Sequence, residues 1–329
     1  MKRSLFRLIL FVSLIAGVCG VGVAWAMLRP LPLHGDRVVH IARRTTMSRA
    51  IDSVDAQCGL PTPMIVKMVS RIVVRVTQKP VQYGWYVFSS KDTQWDVVIA
   101  LVTGRHRPAT RVTIPEGFTY REIASVLHRK LEIDSAAFIE WCENDSVVQT
   151  RAKGAPSMEG YLMPETYDML WRDDASAAGD KLAEQAKKIW STATSTRSRN
   201  EILTLASIVQ AEAAVVSEMP RIAGVYVNRL RTGMHLDADP TVQYGQGQKK
   251  RVLYRDLAEA HAYNTYMHEG LPPGPICNPG VDAISSAIQP EKHTFFFFFA
   301  RGDGTGLHRF AHTGAEHMEN VRLYRNARR

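Results

Sequence analysis

Leu205, Ile208, Val209 and Glu212 fall at i, i+3, i+4 and i+7, the spacing of one face of an α-helix. Three of these positions are apolar and the fourth is a carboxylate. Burying a lone carboxylate disfavours its charged form and raises its pKa. Moving a glutamate from about 4.3 to near 6 takes about 2.3 kcal/mol, within reach of a partly buried helix face. The product is an acid that keeps its proton near neutral pH and can protonate a leaving oxygen, such as that of a departing sugar. The alternative is a glutamate at the edge of the stripe, paired with an arginine such as Arg221 or Arg229.

Other groups compete for attention. Glu159, Glu165 and Asp168 make a second set of carboxylates, or else solvated loop residues. His308, His312 and His317 match no standard zinc spacing, and Asp237 with Asp239 lacks the later glycine and glutamate of a calcium loop. No metal and no cofactor is expected. The sequence holds no G-x-S-x-G, no serine three residues before a lysine, and no G-x-x-x-x-G-K-[ST], so serine-nucleophile chemistry and phosphate cradling have no support.

The elements that must position these groups divide the chain of 329 residues into roughly two folded parts behind a leader. Leu8 to Leu28 is free of charge and long enough to cross a bilayer. Lys2, Arg3 and Arg7 precede it, which keeps the N-terminus cytoplasmic and places the rest outside. A cleaved signal peptide is the competing reading, since Ala24-Trp25-Ala26 resembles a cleavage site. After Pro30 and Pro32, strands are expected at 38–41, 81–88 and 111–114. Helices are expected from Ser48, from Pro61 (with Met64, Ile65, Met68 and Ile72 on one face), at 93–103, and after a Thr119/Glu122 capping box. The later half predicts helices at 174–190, 201–214, 218–231 and 282–288, with Ser191 to Ser198 as a connection. A buried strand at 294–300 then turns through Gly302–Gly306 into a partner at 307–311.

Hydrophobic residues make up 45% and charged residues 22% of the chain, so most of it should fold. The net charge of +9 drops to +5 once the four basic residues of 1–29 are set aside. That excess suits loose attraction to an anionic surface; no basic run with interleaved aromatics points to nucleic acid. Four cysteines without a C-x-x-C pair exclude a disulfide-dense scaffold, and Cys58, Cys142 and Cys277 read as small buried residues.

Several stretches carry a family likeness. Leu205-Ala-Ser-Ile-Val-Gln-Ala-Glu212-Ala, followed by Glu218 to Leu230, closely resembles the endolytic murein transglycosylases of the YceG-like family. Met158 to Tyr167, Leu236 to Tyr244, Tyr263 to Tyr266, Gly270 to Ile276 and Asn278 to Gly280 are similar to the family's other motifs in the same order. Thr113 to Thr119 resembles the opening of a LysM-like subdomain. The resemblance implies an α+β protein with a transmembrane anchor (1–30), a LysM-like support module (31–156) and a mixed α+β catalytic domain (157–329). It implies an inner-membrane, single-pass enzyme, a lyase, that works outside the cytoplasm on peptidoglycan glycan strands beside peptidoglycan synthases. The expected reaction cuts between N-acetylmuramic acid and N-acetylglucosamine and leaves 1,6-anhydro ends.

Glu212 takes the place of the family's catalytic glutamate. Gln210 stands where many members have a second glutamate. Asn228 is a candidate for an N-acetyl group, and Tyr161, Tyr263 and Tyr266 for sugar stacking. Asn264, Asp239 and Thr241 are candidates for hydroxyls, and Glu159 joins the substrate-binding set.

Overall fold

The computed structural model describes residues 2–190 and 195–327. The chain forms two compact units, one of residues 1–110 with 170–173, the other of 111–169 with 174–329. Residues 111–156, grouped from the sequence with the support module, therefore share a core with the C-terminal part.

The first unit contains α1 (Lys2–Met27), β1 (Arg37–Ile41), α2 (Met47–Cys58), α3 (Pro63–Thr77), β2 (Gly84–Phe88) and α4 (Gln94–Thr103). β1 and β2 pair antiparallel, Arg37 opposite Phe88 and Ile41 opposite Gly84. The alternation of the strands sends Val39, Ile41, Tyr86 and Phe88 inward, against Ile51, Val54, Val66, Val98 and Leu101 of the helices. Thr93 and Asp96 form a capping box on α4, and Gly104 ends that helix in the left-handed conformation that a glycine adopts at low cost. Two boundaries differ from expectation. The cap of α2 is Thr46, not Ser48, and α3 starts at Pro63 because Thr62 and Pro63 supply the cap and first helical positions. The face of α3 bearing Met64, Met68 and Ile72 is exposed, whereas Val66 and Ser70 point inward.

β3 (Ala109–Thr113) and β4 (Thr166–Leu170) cross the boundary between the units, and the second unit holds α5 (Tyr120–Leu131), α6 (Ser135–Glu143) and α7 (Asp145–Arg151). These are followed by α8 (Ala175–Trp190), α9 (Arg199–Glu212), α10 (Met219–Arg231), α11 (Asp239–Gly245), α12 (Val281–Ile288), β5 (Phe297–Ala300), β6 (His308–Ala311) and α13 (Gly314–Ala327). β3 pairs with β4 and β5 with β6. Part of the expected connection, residues 191–194, lies outside the described residues. The phenylalanine-rich strand is shorter than expected and half-buried, one face resting on α13 through Phe299 and Tyr324.

α9 is the central helix. A Ser198/Glu201 capping box starts it, and every residue from Ile202 to Val209 is buried, so it is enclosed on all sides rather than along one stripe. Its polar residues are satisfied locally: Thr204 donates to the Asn200 carbonyl (2.7 Å), and Ser207 donates to that of Thr204 (2.8 Å) while accepting the Ile276 N–H (3.0 Å). Burial stops at Gln210, and the helix ends at Glu212. The carboxylate thus sits where the core meets the surface.

Candidate active site

Three elements converge on the end of α9. α10, with Pro220 in its first turn, runs alongside and turns Tyr226 inward, 1% exposed. A buried tyrosine hydroxyl must find a partner. Here it donates to Glu212 Oε1 at 3.1 Å. α11 opens with Asp239, whose Oδ1 accepts the Tyr266 hydroxyl at 2.7 Å. Phe298 packs edge-on to Tyr226, 5.8 Å between ring centres, and closes the apolar side of the cluster.

Burial is the main force on the Glu212 carboxyl and pushes its pKa from 4.5 up to about 7. The Tyr226 hydrogen bond opposes this, the Asp239 charge adds to it, and the Arg229 charge opposes it. The C-terminal end of α9 also presents carbonyls, which disfavour a negative charge there. Neither arginine named as a partner pairs with it: Arg221 binds Glu291 (3.0 and 3.2 Å), and Arg229 bonds the Phe296 and Leu236 carbonyls and Asp237. The site therefore sets an acid whose pKa is raised toward neutrality beside an exposed aspartate.

Next to this cluster opens a cleft of about 950 Å³, lined by Glu116, Tyr120, Glu159, Gln210, Ala211, Pro240, Tyr244 and Lys249 among others. Its size lies at the upper end of the range for ligand pockets. Ala211 and Pro240 of its lining are the chain neighbours of Glu212 and Asp239, which do not themselves line it. Glu159 lies at the floor, 1% exposed, with Oε1 accepting the Tyr120 N–H (3.0 Å) and the Asn278 amide (2.8 Å). Burial raises its pKa to about 8, and Tyr244 lies beside it. Of the three carboxylates considered together, Glu165 and Asp168 are solvated and Glu159 alone turns inward.

Asn278 knits the site's wall. Its amide also donates to the Phe118 carbonyl (2.9 Å), and its oxygen accepts the Leu162 N–H (2.9 Å). Gln210 accepts the Gly280 N–H at 2.9 Å, the hydrogen bond that residue supplies here. Gly160 has φ +83°, and a Cβ there would lie 2.5 Å from Pro275, so only glycine lets the two loops approach. Motifs far apart in sequence are thus one surface in space.

The structure brings Glu212, Asp239 and Tyr266 together, and places Glu159 with Tyr263, whose ring lies 4.8 Å from Tyr244. Four candidates are buried. The Asn228 amide is committed to the His293 and Phe295 carbonyls (2.9 and 3.0 Å), which ties α10 to the approach of β5. Thr241 is buried, donating to the Ala238 carbonyl at 2.7 Å beside Thr265. Asn264 folds its own loop through the Leu257 and Glu259 carbonyls. Tyr161 is 4% exposed within the core. Tyr226 went unnamed from the sequence, although a tyrosine four residues after Ile222 on an apolar helix face signals a buried hydroxyl that needs a partner. The histidines serve the scaffold: His308 bonds Glu218 at 2.8 Å, His312 meets Thr294, and His317 stacks on Phe297.

The model of the YceG-like family matches residues 39–323. The chain belongs to that family. Among its relatives is the endolytic murein transglycosylase of Bacillus subtilis (strain 168), 30% identical over 267 residues, 74% of this chain and 73% of the relative. The protein of the same name from Streptococcus pneumoniae (strain D39) is 30% identical over 251 residues; that match takes in 66% of this chain and 45% of the longer relative. A solved YceG-like protein from Listeria monocytogenes superimposes with a TM-score of 0.57 at 25% identity, over 86% of this chain and 98% of its own. The cluster around Glu212 and the cleft both lie inside the matched region.

Proposed function

We propose that this YceG-like protein is an endolytic murein transglycosylase in which Glu212 acts first as acid and then as base. The observation that carries this reading is the Glu212 carboxyl, which burial pushes up to about 7 and Tyr226 holds, one residue along α9 from the lining of the cleft. Protonated Glu212 gives its proton to the glycosidic oxygen, and the bond from that oxygen to the muramic anomeric carbon breaks. The muramic 6-hydroxyl then attacks the same carbon, and its proton passes to the Glu212 carboxylate. The ring closes as the 1,6-anhydro product and the acid is restored. No water is consumed, so the second carboxylate that a hydrolytic glycosidase needs is not required.

The exposed Asp239 carboxylate faces the positive charge that builds on the anomeric carbon, with Tyr266 orienting it. Tyr263 at the far side of Tyr244 is placed for contact with a sugar ring, and Glu159 shapes the floor from below. In this reading α1 anchors the chain in the cell membrane with both units on the outer side. The first unit, a strand pair packed with helices, serves as the LysM-like support module.

Mass spectrometry of digested sacculi tests the reaction. Anhydromuramic ends without reducing ends are expected. Reducing ends would show a hydrolytic muramidase, and binding to sacculi without any fragment release would show a scaffold.

A further inference from the structure

The end of α1 is part of a folded core. Met27 and Leu31 are both 3% exposed among the residues of the first unit, and no linker separates the apolar helix from that unit. Gln94 fixes the junction: its side chain donates to the Ala26 carbonyl (2.6 Å) and its N–H to that of Arg29 (3.1 Å). The Leu31 N–H bonds the Asp92 carbonyl at 2.8 Å.

α3 lies beside the same junction. Its Val69 lines an apolar groove with Gly20, Val23, Ala24, Met27 and Trp95. Gly20 to Met27 lie inside the stretch Leu10–Met27 that is long and apolar enough to cross a membrane. The seven steps of helix from Gly20 to Met27 rise about 10 Å, the depth at which an interfacial helix sits.

The outward side of α3 carries an apolar row one turn apart: Met64 (78% exposed), Met68 (47%), Ile72 (59%) and Val76 (77%). Lys67, Arg71 and Arg75 form a parallel basic row on the adjoining side, Lys67 ion-paired with Asp52. Trp25 and Trp95 are exposed, Trp95 in the same groove as Ala24 and Leu28, with the Arg29 guanidinium 5.0 Å over the Trp25 ring. Tryptophan and arginine concentrate at the boundary between headgroups and acyl chains.

From this continuity with α1 and this charge pattern we infer that α3 is a second membrane contact, lying in the outer headgroup–acyl boundary of an anionic bilayer. Met64, Met68, Ile72 and Val76 enter the lipid and Arg71 and Arg75 meet its phosphates. It rests on the reading of α1 as the anchor. Two contacts in place of one hold the first unit against the bilayer instead of letting it swing on a single helix.

Nitroxide accessibility on the full chain, one copy per nanodisc of anionic lipid, tests it. Labels are placed at Met68→Cys, Ile72→Cys, Val18→Cys and Arg105→Cys, each with Cys19→Ser, since the other three cysteines are buried. Labels at 68 and 72 should lose collisions with a water-soluble nickel chelate several-fold relative to the label at 105, and collide with oxygen as the label at 18 does. Adding Arg71→Glu and Arg75→Glu should shrink that loss; an unchanged loss overturns the assignment to anionic headgroups. Chelate access at 68 and 72 equal to that at 105, with 18 still in lipid, overturns the proposal and leaves the anchor standing. Chelate access at 18 overturns the anchor reading and the proposal with it. Protection that appears only with two copies per disc overturns it in favour of contact between copies.

Discussion

At the scale of single residues, the account turns on which groups push the Glu212 proton on and which pull it off. Tyr226 donates to the charged form, so Tyr226→Phe removes a lowering influence and should move the falling limb of the rate–pH curve to higher pH. Asp239 raises the pKa by its charge, so Asp239→Asn should move the same limb to lower pH. Opposite shifts in kcat/KM profiles of the two variants are the expected result. The sequence exposed Glu212 because a carboxylate in a run of Leu, Ile and Val is conspicuous. It did not show that Asn228, Thr241 and Asn264 are buried and bonded to backbone carbonyls. A buried polar side chain needs partners whether they come from the backbone or from a substrate, and the residue type alone is the same in both cases.

At the scale of elements, α10 matters because it carries Tyr226 and is pinned by Asn228. Asn228→Ala leaves the His293 and Phe295 carbonyls without their shared donor. A loss of about 1–3 kcal/mol is expected in denaturant unfolding, with a fall in activity through the displaced Tyr226. Gly160→Ala should cost more than an ordinary surface change, since its Cβ would meet Pro275 and its φ of +83° disfavours any side chain. Elements with strong end signals were legible: α4 between Thr93 and Gly104, and α5 behind its capping box, sit where the residues put them. β4 was not, because its first two residues close the Met158–Tyr167 motif and its alternation of Thr166, Tyr167, Asp168 and Met169 is short. α11 is only seven residues long and begins with Asp-Pro, which reads as a turn. The orientation of α3 was undetermined because Ile65, Val69 and Val73 rival Met64, Met68 and Ile72 in apolarity, and only the neighbouring helices choose between the faces.

At the scale of the whole molecule, two buried acids link stability to pH. Glu212 and Glu159 both have folded pKa values raised above 4.5, to about 7 and about 8. Their contribution is complete below about 4.5 and is lost as the pH rises through about 7 and about 8, because the folded chain must then carry charges it shields from water. Thermal melts from acid to mildly alkaline pH should show this decline, and Glu212→Gln with Glu159→Gln should flatten it. A slope unchanged in the double variant would assign the dependence elsewhere. Burial thus raises both carboxyls, Glu159 in the lining of the cleft and Glu212 at the end of α9. Carbon-13 NMR of glutamate-labelled protein, with the Glu212 carboxyl signal assigned by its absence in Glu212→Gln, reads that proton directly. A midpoint near 7 is predicted; a midpoint near 4.5, with the group ionised throughout the neutral range, would contradict the acid's role.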